Sequence, residues 1–179
     1  MNNVIDVLNE LRNRIDSIEK KTGRNLYYDK LVFEEDILPT LQKAKDEVNL
    51  YKRKLFASFI AACIHPDNID CSNKQIYFSY LEDLDYLSVC ILNNLNSFHT
   101  EWQLIEKLDC NYNIETVRVH LWNLKSHDLV NEISGEEYEK LFLKRCGNIR
   151  ARHPERVTLY KRSNLGNEML SFILKGLPQ

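Results

Sequence analysis

The sequence predicts a mainly α-helical fold that carries one small β-hairpin. Apolar residues recur at intervals of three and four along most of the chain, which is the spacing of one helix face. Two short segments near the C-terminus behave differently: residues 129–133 are largely apolar, and residues 156–161 alternate in the manner of a strand. We therefore expect a helical N-terminal region, residues 1–76, followed by a second domain, residues 77–179, in which three helices precede the hairpin.

The composition is that of an ordinary protein with a sizeable core. The 179 residues are 44% hydrophobic and carry a net charge of −2, so any nucleic-acid surface must be local. No apolar run approaches the roughly 18 residues of a membrane span, and the N-terminus lacks the basic leader and apolar stretch of a signal peptide. The five cysteines are scattered and odd in number. This usage favours a reduced, cytoplasmic compartment over a disulfide framework, and we expect no membrane partner.

The first predicted helix carries one apolar stripe and ends at Thr22–Gly23, where glycine suits a helix C-terminus. The stripe covers only about two heptads, fewer than a free coiled coil needs, so it must pack on something. Two alternatives stay open. The stripe packs on the second helix of the same chain, or it pairs with a second copy, and we expect a homodimer through these N-terminal helices. The stripe consists of Val4, Leu8, Leu11, Ile15 and Ile18.

A linker and a longer helix are expected next. Residues 23–36 are interpreted as a linker with aromatic anchors, and Pro39 suits the first turn of the following helix. That helix is expected to run to Ile64, with apolar residues on all faces of its second half, so this end should be buried all round. Pro66 disfavours helical geometry in the residue before it and stops the helix. The predicted stripe is Leu41, Ala44, Val48, Tyr51, Leu55, Phe59 and Ala62.

The second domain shows helix-start signals at regular intervals. Ser79 and Thr100 each begin a segment with Glu or Gln three residues later, which is the spacing of a capping box. Asn113 can cap a third helix. The inward face of that helix is predicted to be Val117, Leu121 and Leu124. The predicted elements are helices over 84–95, 100–108 and 114–127, strands over 129–133 and 156–161, and a last helix over 167–174.

This order of elements resembles that of winged-helix proteins, in which three helices are followed by a strand and a return strand. The ending TLYKRSNLGNEMLSFIL is similar to the closing segment of many such proteins, where a wing strand leads through a Leu–Gly step into a terminal helix. The resemblance covers residues 79–174 and implies a winged-helix-like domain. Residues 135–155 are longer than a simple wing needs, and EEYEKLFLKRC within them can form a helix.

A second resemblance runs along most of the chain. KRKLFASFIAACIHPDN, then Phe78, then LEDLDYLSVCIL at Leu81–Leu92, is similar to a bacterial family of unknown function related to the alpha-type abortive-infection proteins of phage defence. That family offers no established catalytic residues to carry over. The resemblance implies a phage-related or defence-related context.

The clearest charge feature is the segment from Lys140 to Arg162. It holds eight basic residues against one acidic residue, Glu155, a net charge of about +7. Phosphate contact requires such segregated cations, because each neutralised phosphate releases counterions. The alternative is a solvated or acid-paired loop, since several glutamates precede it. The expected phosphate contacts are Arg150, Arg152, Lys161 and Arg162.

The third helix of the second domain is the candidate recognition helix. Arg118 and Asn123 suit contacts to base edges in a major groove, and Lys125 adds a cation. Glu115 at its front would repel phosphate, so an ordinary or protein-binding surface is the alternative. Trp122 is interpreted as a packing residue. The predicted outward face is Thr116, Arg118, His120, Asn123 and Lys125.

The leading hypothesis is therefore a nucleic-acid-binding or regulatory protein with DNA as its partner. The alternative is a protein-interaction module that contacts its partner through the N-terminal helices. The sequence contains no motif of a hydrolase, a nucleotide-binding loop or a zinc protease, so we expect no enzyme activity and no cofactor. Cys63, His65 and Cys71 lack the paired spacing of a zinc site, so no metal is expected.

Overall fold

The computed structural model describes residues 2–26, 30–65, 68, 71–108, 112–142 and 157–175. The fold is mainly α-helical with a small two-stranded antiparallel sheet, which confirms the predicted fold class. In chain order the elements are α1 (Asn2–Thr22), α2 (Lys30–Val32), a π-helical segment (Phe33–Ile37), α3 (Leu38–Asp46), α4 (Leu50–Cys63), α5 (Lys74–Asp83), α6 (Tyr86–Asn94), α7 (Glu101–Lys107), α8 (Ile114–Ser126), β1 (Val130–Ser134), α9 (Gly135–Phe142), β2 (Thr158–Arg162) and α10 (Asn164–Lys175).

The chain groups into two compact units. The N-terminal unit comprises Met1–Tyr86 together with Glu168–Gln179, and the central unit comprises Leu87–Asn167. This grouping reflects compactness alone, and the division into domains 1–76 and 77–179 stays a prediction.

In the N-terminal unit, α1 packs on α3 and α4 of the same chain, which is one of the two alternatives left open for it. Gly23, at φ +64°, ends the helix as predicted. The buried face differs from the predicted stripe, because Val7 is buried while Leu8 is 45% exposed. Both residues are apolar, so spacing alone could not choose between them. The buried residues of α1 are Val7, Leu11, Arg14 and Ile18.

The predicted linker is wrong in its second part, since residues 30–37 are helical. Helix α2 continues through the π-helical segment directly into α3, so Pro39 lies within a continuous helical run. Proline has no N–H, and the Glu35 carbonyl therefore lacks the donor that an α-helix would offer it. Gln75 Nε2 donates to that oxygen at 3.1 Å.

The prediction of a single long helix after Pro39 is also wrong, since the helix is interrupted between α3 and α4. Glu47 has extended backbone, and the Asn49 side chain accepts hydrogen bonds from the N–H groups of Tyr51 and Lys52. A side chain that caps in this way starts a new helix instead of continuing the old one. The burial predicted for the end of this segment is confirmed, because every residue from 55 to 64 is buried.

Ser79 does not start a helix, contrary to the prediction. It lies inside α5, where its Oγ donates to the Ile76 carbonyl at 2.8 Å. The chain turns later, at Leu84, which has extended backbone and is fully buried. The next helix, α6, therefore begins at Tyr86.

The helices and strands of the central unit follow the predicted order. Thr100 and Gln103 form the predicted capping box of α7, and Asn113 caps α8. Helix α9 confirms that the segment after β1 can be helical. Both strands lie where the sequence predicts them, and β1 pairs antiparallel with β2.

Two backbone features connect segments of the central unit that are distant in sequence. His99 forms an isolated bridge with Tyr160, through two backbone hydrogen bonds of 2.9 Å. Asp128, at φ +57°, turns the chain from α8 into β1, and its carbonyl accepts a 2.6 Å hydrogen bond from Ser163 Oγ. The same hydroxyl accepts from the N–H of Gly166 at 2.9 Å and so caps the start of α10.

Candidate interaction surface on helices α7 and α8

Helix α8 has one face that is fully committed to the core. Val117, Leu121 and Leu124 are each at most 1% exposed, as the sequence predicts. These positions lie close together on a helix that turns about 100° per residue, so the residues roughly half a turn away must face outward. Those residues are Glu115, Val119, Trp122 and Ser126.

The middle of the outward face is apolar. Trp122 is 72% exposed and Val119 is 65% exposed, and Trp102 on the adjoining α7 is also 65% exposed. The interpretation of Trp122 as a packing residue is therefore wrong. Val119 and Trp122 are three residues apart on one helix and so form a neighbouring pair of exposed apolar side chains, the kind of surface that commonly marks a contact with another molecule.

Val119 and Trp102 are not among the surface residues predicted from the sequence, and Trp122 is predicted to pack in the interior. Helical spacing contains enough information to place Val119 and Trp122 on the surface. Once the face of Val117 and Leu121 is assigned to the core, helical geometry places Val119 and Trp122 on the opposite side. The predicted outward face, made of Thr116, Arg118, His120, Asn123 and Lys125, includes neither Val119 nor Trp122. His120 from that predicted face is half-buried, with Nδ1 3.0 Å from Ser88 Oγ.

Arg118 lies at the edge of this face and is held by two carboxylates. Its Nε is 2.9 and 3.0 Å from the two oxygens of Glu101, and one terminal nitrogen is 2.7 Å from Glu115. Hydrogen bonding to Glu101 raises the pKa of Arg118, so the guanidinium stays charged. Tyr160 on β2 donates to the same Glu101 at 3.4 Å. The carboxylate of Glu101 thus joins α7, α8 and β2.

The other two candidate residues of α8 are also placed at its edges. Lys125 forms an ion pair with Glu132 of β1. Asn123 is half-buried, one residue beyond Trp122. Because Lys125 and Arg118 are each paired with a carboxylate of the same chain, the described part of α8 presents little free positive charge.

On β2 the two predicted phosphate contacts have neighbours of their own. The ammonium of Lys161 lies 5.5 Å from the centre of the Phe98 ring, a cation–π distance. Arg162 Nε donates to the Leu95 carbonyl at 3.3 Å, and burial lowers the pKa of this guanidinium. Arg150 and Arg152 lie outside the described residues. The nucleic-acid role of these four residues stays a prediction.

In the described part of the chain, no group of three His, Cys, Asp or Glu side chains is close enough to hold a metal ion. The Cys63 thiol is fully buried, and burial raises its pKa, which disfavours the reactive thiolate. None of the described helices is both long and apolar enough to cross a bilayer.

Comparison with known protein families, with curated proteins and with solved structures found no match to this chain. The resemblances to winged-helix proteins and to abortive-infection proteins therefore remain expectations from the sequence.

Proposed function

We propose that this protein is a non-catalytic protein-interaction module whose contact surface is the outward face of α8 together with the exposed part of α7. The observation that carries this proposal is the exposure of Trp122, Val119 and Trp102 on two helices that pack on each other. Tryptophan is enriched among the residues that dominate binding energy in protein interfaces. We call these three residues the tryptophan face.

Burial of the tryptophan face would supply a substantial binding energy. A tryptophan covers up to about 250 Å², so burying the exposed two thirds of one is worth roughly 3–4 kcal/mol before the costs of association. The sequence-based alternative placed the contact surface on the N-terminal helices instead. In α1 the residues Val7 and Leu11 pack within the chain, whereas Ile5 and Leu8 stay about half exposed. We place the surface on α8 because Trp122 is both larger and more exposed than either of them.

The charge arrangement around α8 favours a protein over a polyanion. A phosphate that bound Arg118 would first have to displace Glu101 and Glu115, whereas counterion release rewards cations that are free to neutralise phosphate. A protein surface tolerates such internally closed ion pairs at the rim of an apolar centre.

Nucleic-acid binding is the second candidate, and the order of elements favours it. Helices α6, α7 and α8 precede β1, and β2 returns beside it, which is the order of a winged-helix-like domain. The basic segment from Lys140 to Arg162 would then contact phosphates, with Arg150, Arg152, Lys161 and Arg162 in that role. A phage-defence context and a cytoplasmic location are predictions that rest on the sequence alone.

A photoreactive residue tests the leading proposal. We would introduce p-benzoylphenylalanine at position 122, express the chain in the cells that produce it, irradiate, and look for covalent adducts of defined mass. The matched control is position 48, because Val48 is apolar and 87% exposed but lies in the N-terminal unit.

We expect adducts from position 122 and none of the same mass from position 48. The adduct should disappear when Val119 is also replaced by Asp, since the charge interrupts the same face. The absence of any adduct from position 122 would contradict the proposal. Adducts with nucleic acid instead of protein would favour the second candidate.

A further inference from the structure

We infer that the partner of the tryptophan face is a second copy of this chain, bound through two antiparallel α8 helices. This inference rests on the proposed protein-interaction function and names its partner. A symmetric dimer needs a patch in which each residue meets another member of the same patch. The order of side chains along the outward face of α8 meets that requirement.

The outward face of α8 is apolar in the middle and polar at both ends. A twofold axis midway between Val119 and Trp122 sets Val119 of one copy against Trp122 of the other. The same axis sets Glu115 against Ser126 and next to Lys125. Glu115 is well exposed and Lys125 is about half exposed, so the carboxylate of one copy would lie beside the ammonium of the other, although each is also paired within its own copy. The face therefore complements its own charge.

The ion pairs within each copy also suit this arrangement. The axis brings Arg118 and Lys125 of both copies to the same side of the paired helices, where like charges would repel. Glu101 and Glu115 hold Arg118, and Glu132 holds Lys125, inside each copy. Neutralised in this way, the cations can approach one another at the rim of the interface.

The size of the apolar centre sets the expected strength of the dimer. Trp122, on the outward face of α8, exposes roughly 180 Å² per copy, against the roughly 800 Å² per partner that a stable complex buries. Flanking polar side chains must supply the rest, and these contribute less per area. We therefore expect a reversible dimer with a Kd on the order of 10–100 µM.

The chain offers a reporter for this contact. Its two tryptophans are Trp102 and Trp122, so intrinsic tryptophan fluorescence reports on the tryptophan face alone. We would measure sedimentation velocity and emission spectra of the full chain from about 1 to about 300 µM, a range that brackets the expected Kd. The mass should rise from 21.2 kDa towards twice that value, and the emission should shift to shorter wavelength over the same range.

Matched variants test where the contact lies. Trp122→Glu should weaken association by about tenfold or more, because it places a charge at the apolar centre. Val48→Glu makes the same kind of change at an exposed site of the N-terminal unit and should leave association unchanged. Circular dichroism would confirm that both variants are folded.

A charge exchange tests the antiparallel register. Glu115→Lys and Lys125→Glu should each weaken association severalfold, because each brings like charges together across the axis. The double variant should recover the association, because the two opposite charges again face each other across the axis. If Glu115 and Lys125 acted only within their own copy, the double variant would not recover.

A chain that stays at 21.2 kDa with unshifted emission at every concentration would overturn the inference. An unchanged association of Trp122→Glu, or no recovery in the double variant, would overturn it as well. If position 122 then crosslinks to a different protein, the proposed function stands and only the identity of the partner fails. If position 122 gives no adduct, both fail.

Discussion

The guanidinium of Arg118 binds the carboxylate of Glu101 through a single nitrogen, with Nε 2.9 and 3.0 Å from the two carboxylate oxygens. The arginine that the sequence offers to a base edge is thus already held by an acid of the same chain. Since Glu101 is also the acceptor for Tyr160, the pair belongs to a network that joins three elements of the central unit.

Replacing Arg118 with Ala should therefore leave affinity for duplex DNA within about twofold of the wild type, since base contacts are worth roughly 1–3 kcal/mol only where they form. Fluorescence anisotropy with a labelled duplex at low salt measures this. Glu101→Gln is the matched variant, because it leaves Arg118 held by the carboxylate of Glu115 alone, and any affinity for phosphate should then rise. A loss of about tenfold or more in Arg118→Ala would show that the arginine leaves Glu101 to contact DNA.

Gly166→Ala should destabilise the protein by about 2–3 kcal/mol, the upper part of the range for overpacking, because the added methyl group meets backbone. A methyl group at position 166 would lie 2.3 Å from the carbonyl oxygen of Leu129, which is backbone and cannot swing away. Urea unfolding measures the change. Gly23→Ala is the control, because its added methyl group meets no atom within 4 Å and costs only the strain of φ +64°, about 1 kcal/mol. A loss at position 166 no larger than that at position 23 would contradict this account.

Tyr160 should ionise well after an ordinary tyrosine. Burial, followed by the charge of Glu101, raises its pKa to about 12. The unfolded chain has the ordinary pKa of about 10, so it loses this proton first as the pH rises. The stability that Tyr160 contributes is therefore complete below about pH 10 and is lost as the pH rises towards 12.

Ultraviolet titration of the wild type against Tyr160→Phe isolates this phenol from the other tyrosines, including Tyr77, whose pKa is also raised by burial. Glu101→Gln should lower the pKa of Tyr160, because it removes the neighbouring negative charge. An unchanged titration in Glu101→Gln would show that burial alone sets the pKa.

The buried ion pair between Lys74 and Asp36 gives a fourth prediction. Lys74 Nζ lies 3.4 Å from Asp36 Oδ2, and both residues are less than 10% exposed. Lys74→Met should destabilise the N-terminal unit by about 3 kcal/mol or more, because it leaves a carboxylate buried without this cation. The Lys74→Met, Asp36→Leu double variant should lose less than the sum of the two single variants. Chemical denaturation of all four proteins measures the coupling, and additive losses would mean that the pair is not coupled.

Where the sequence succeeded, the signals were local. Thr100 with Gln103, and Asn113, cap α7 and α8 as predicted, because each cap involves hydrogen bonds to N–H groups within three residues. The inward face of α8 followed from helical spacing in the same way. Ser79 shows the limit of such signals, since a capping-box pattern inside an apolar helix is overridden by packing.

The candidate site could be predicted only in part. The sequence indicated that α8 carries the exposed residues of interest, and it named Arg118 and Lys125. It could not show that carboxylates from α7 and β1 neutralise these cations, because Glu101 and Glu132 lie on other elements, 17 and 7 residues away from their partners. The residue type alone could not predict that Trp122 is exposed either. The size and apolarity of its side chain favour burial, and only the arrangement of the neighbouring elements leaves it in water.

By itself, the sequence determined the mainly α-helical class, the order of elements in the central unit and the inward face of α8. These depend on residue spacing and on hydrogen bonds within one turn, which are short-range properties. Only the tertiary structure decided which face of α1 is buried, how Gln75 serves the carbonyl that Pro39 leaves open, and how Glu101 holds Arg118. Each of these is a contact between residues far apart in the chain, and its energy exists only once the elements have packed together.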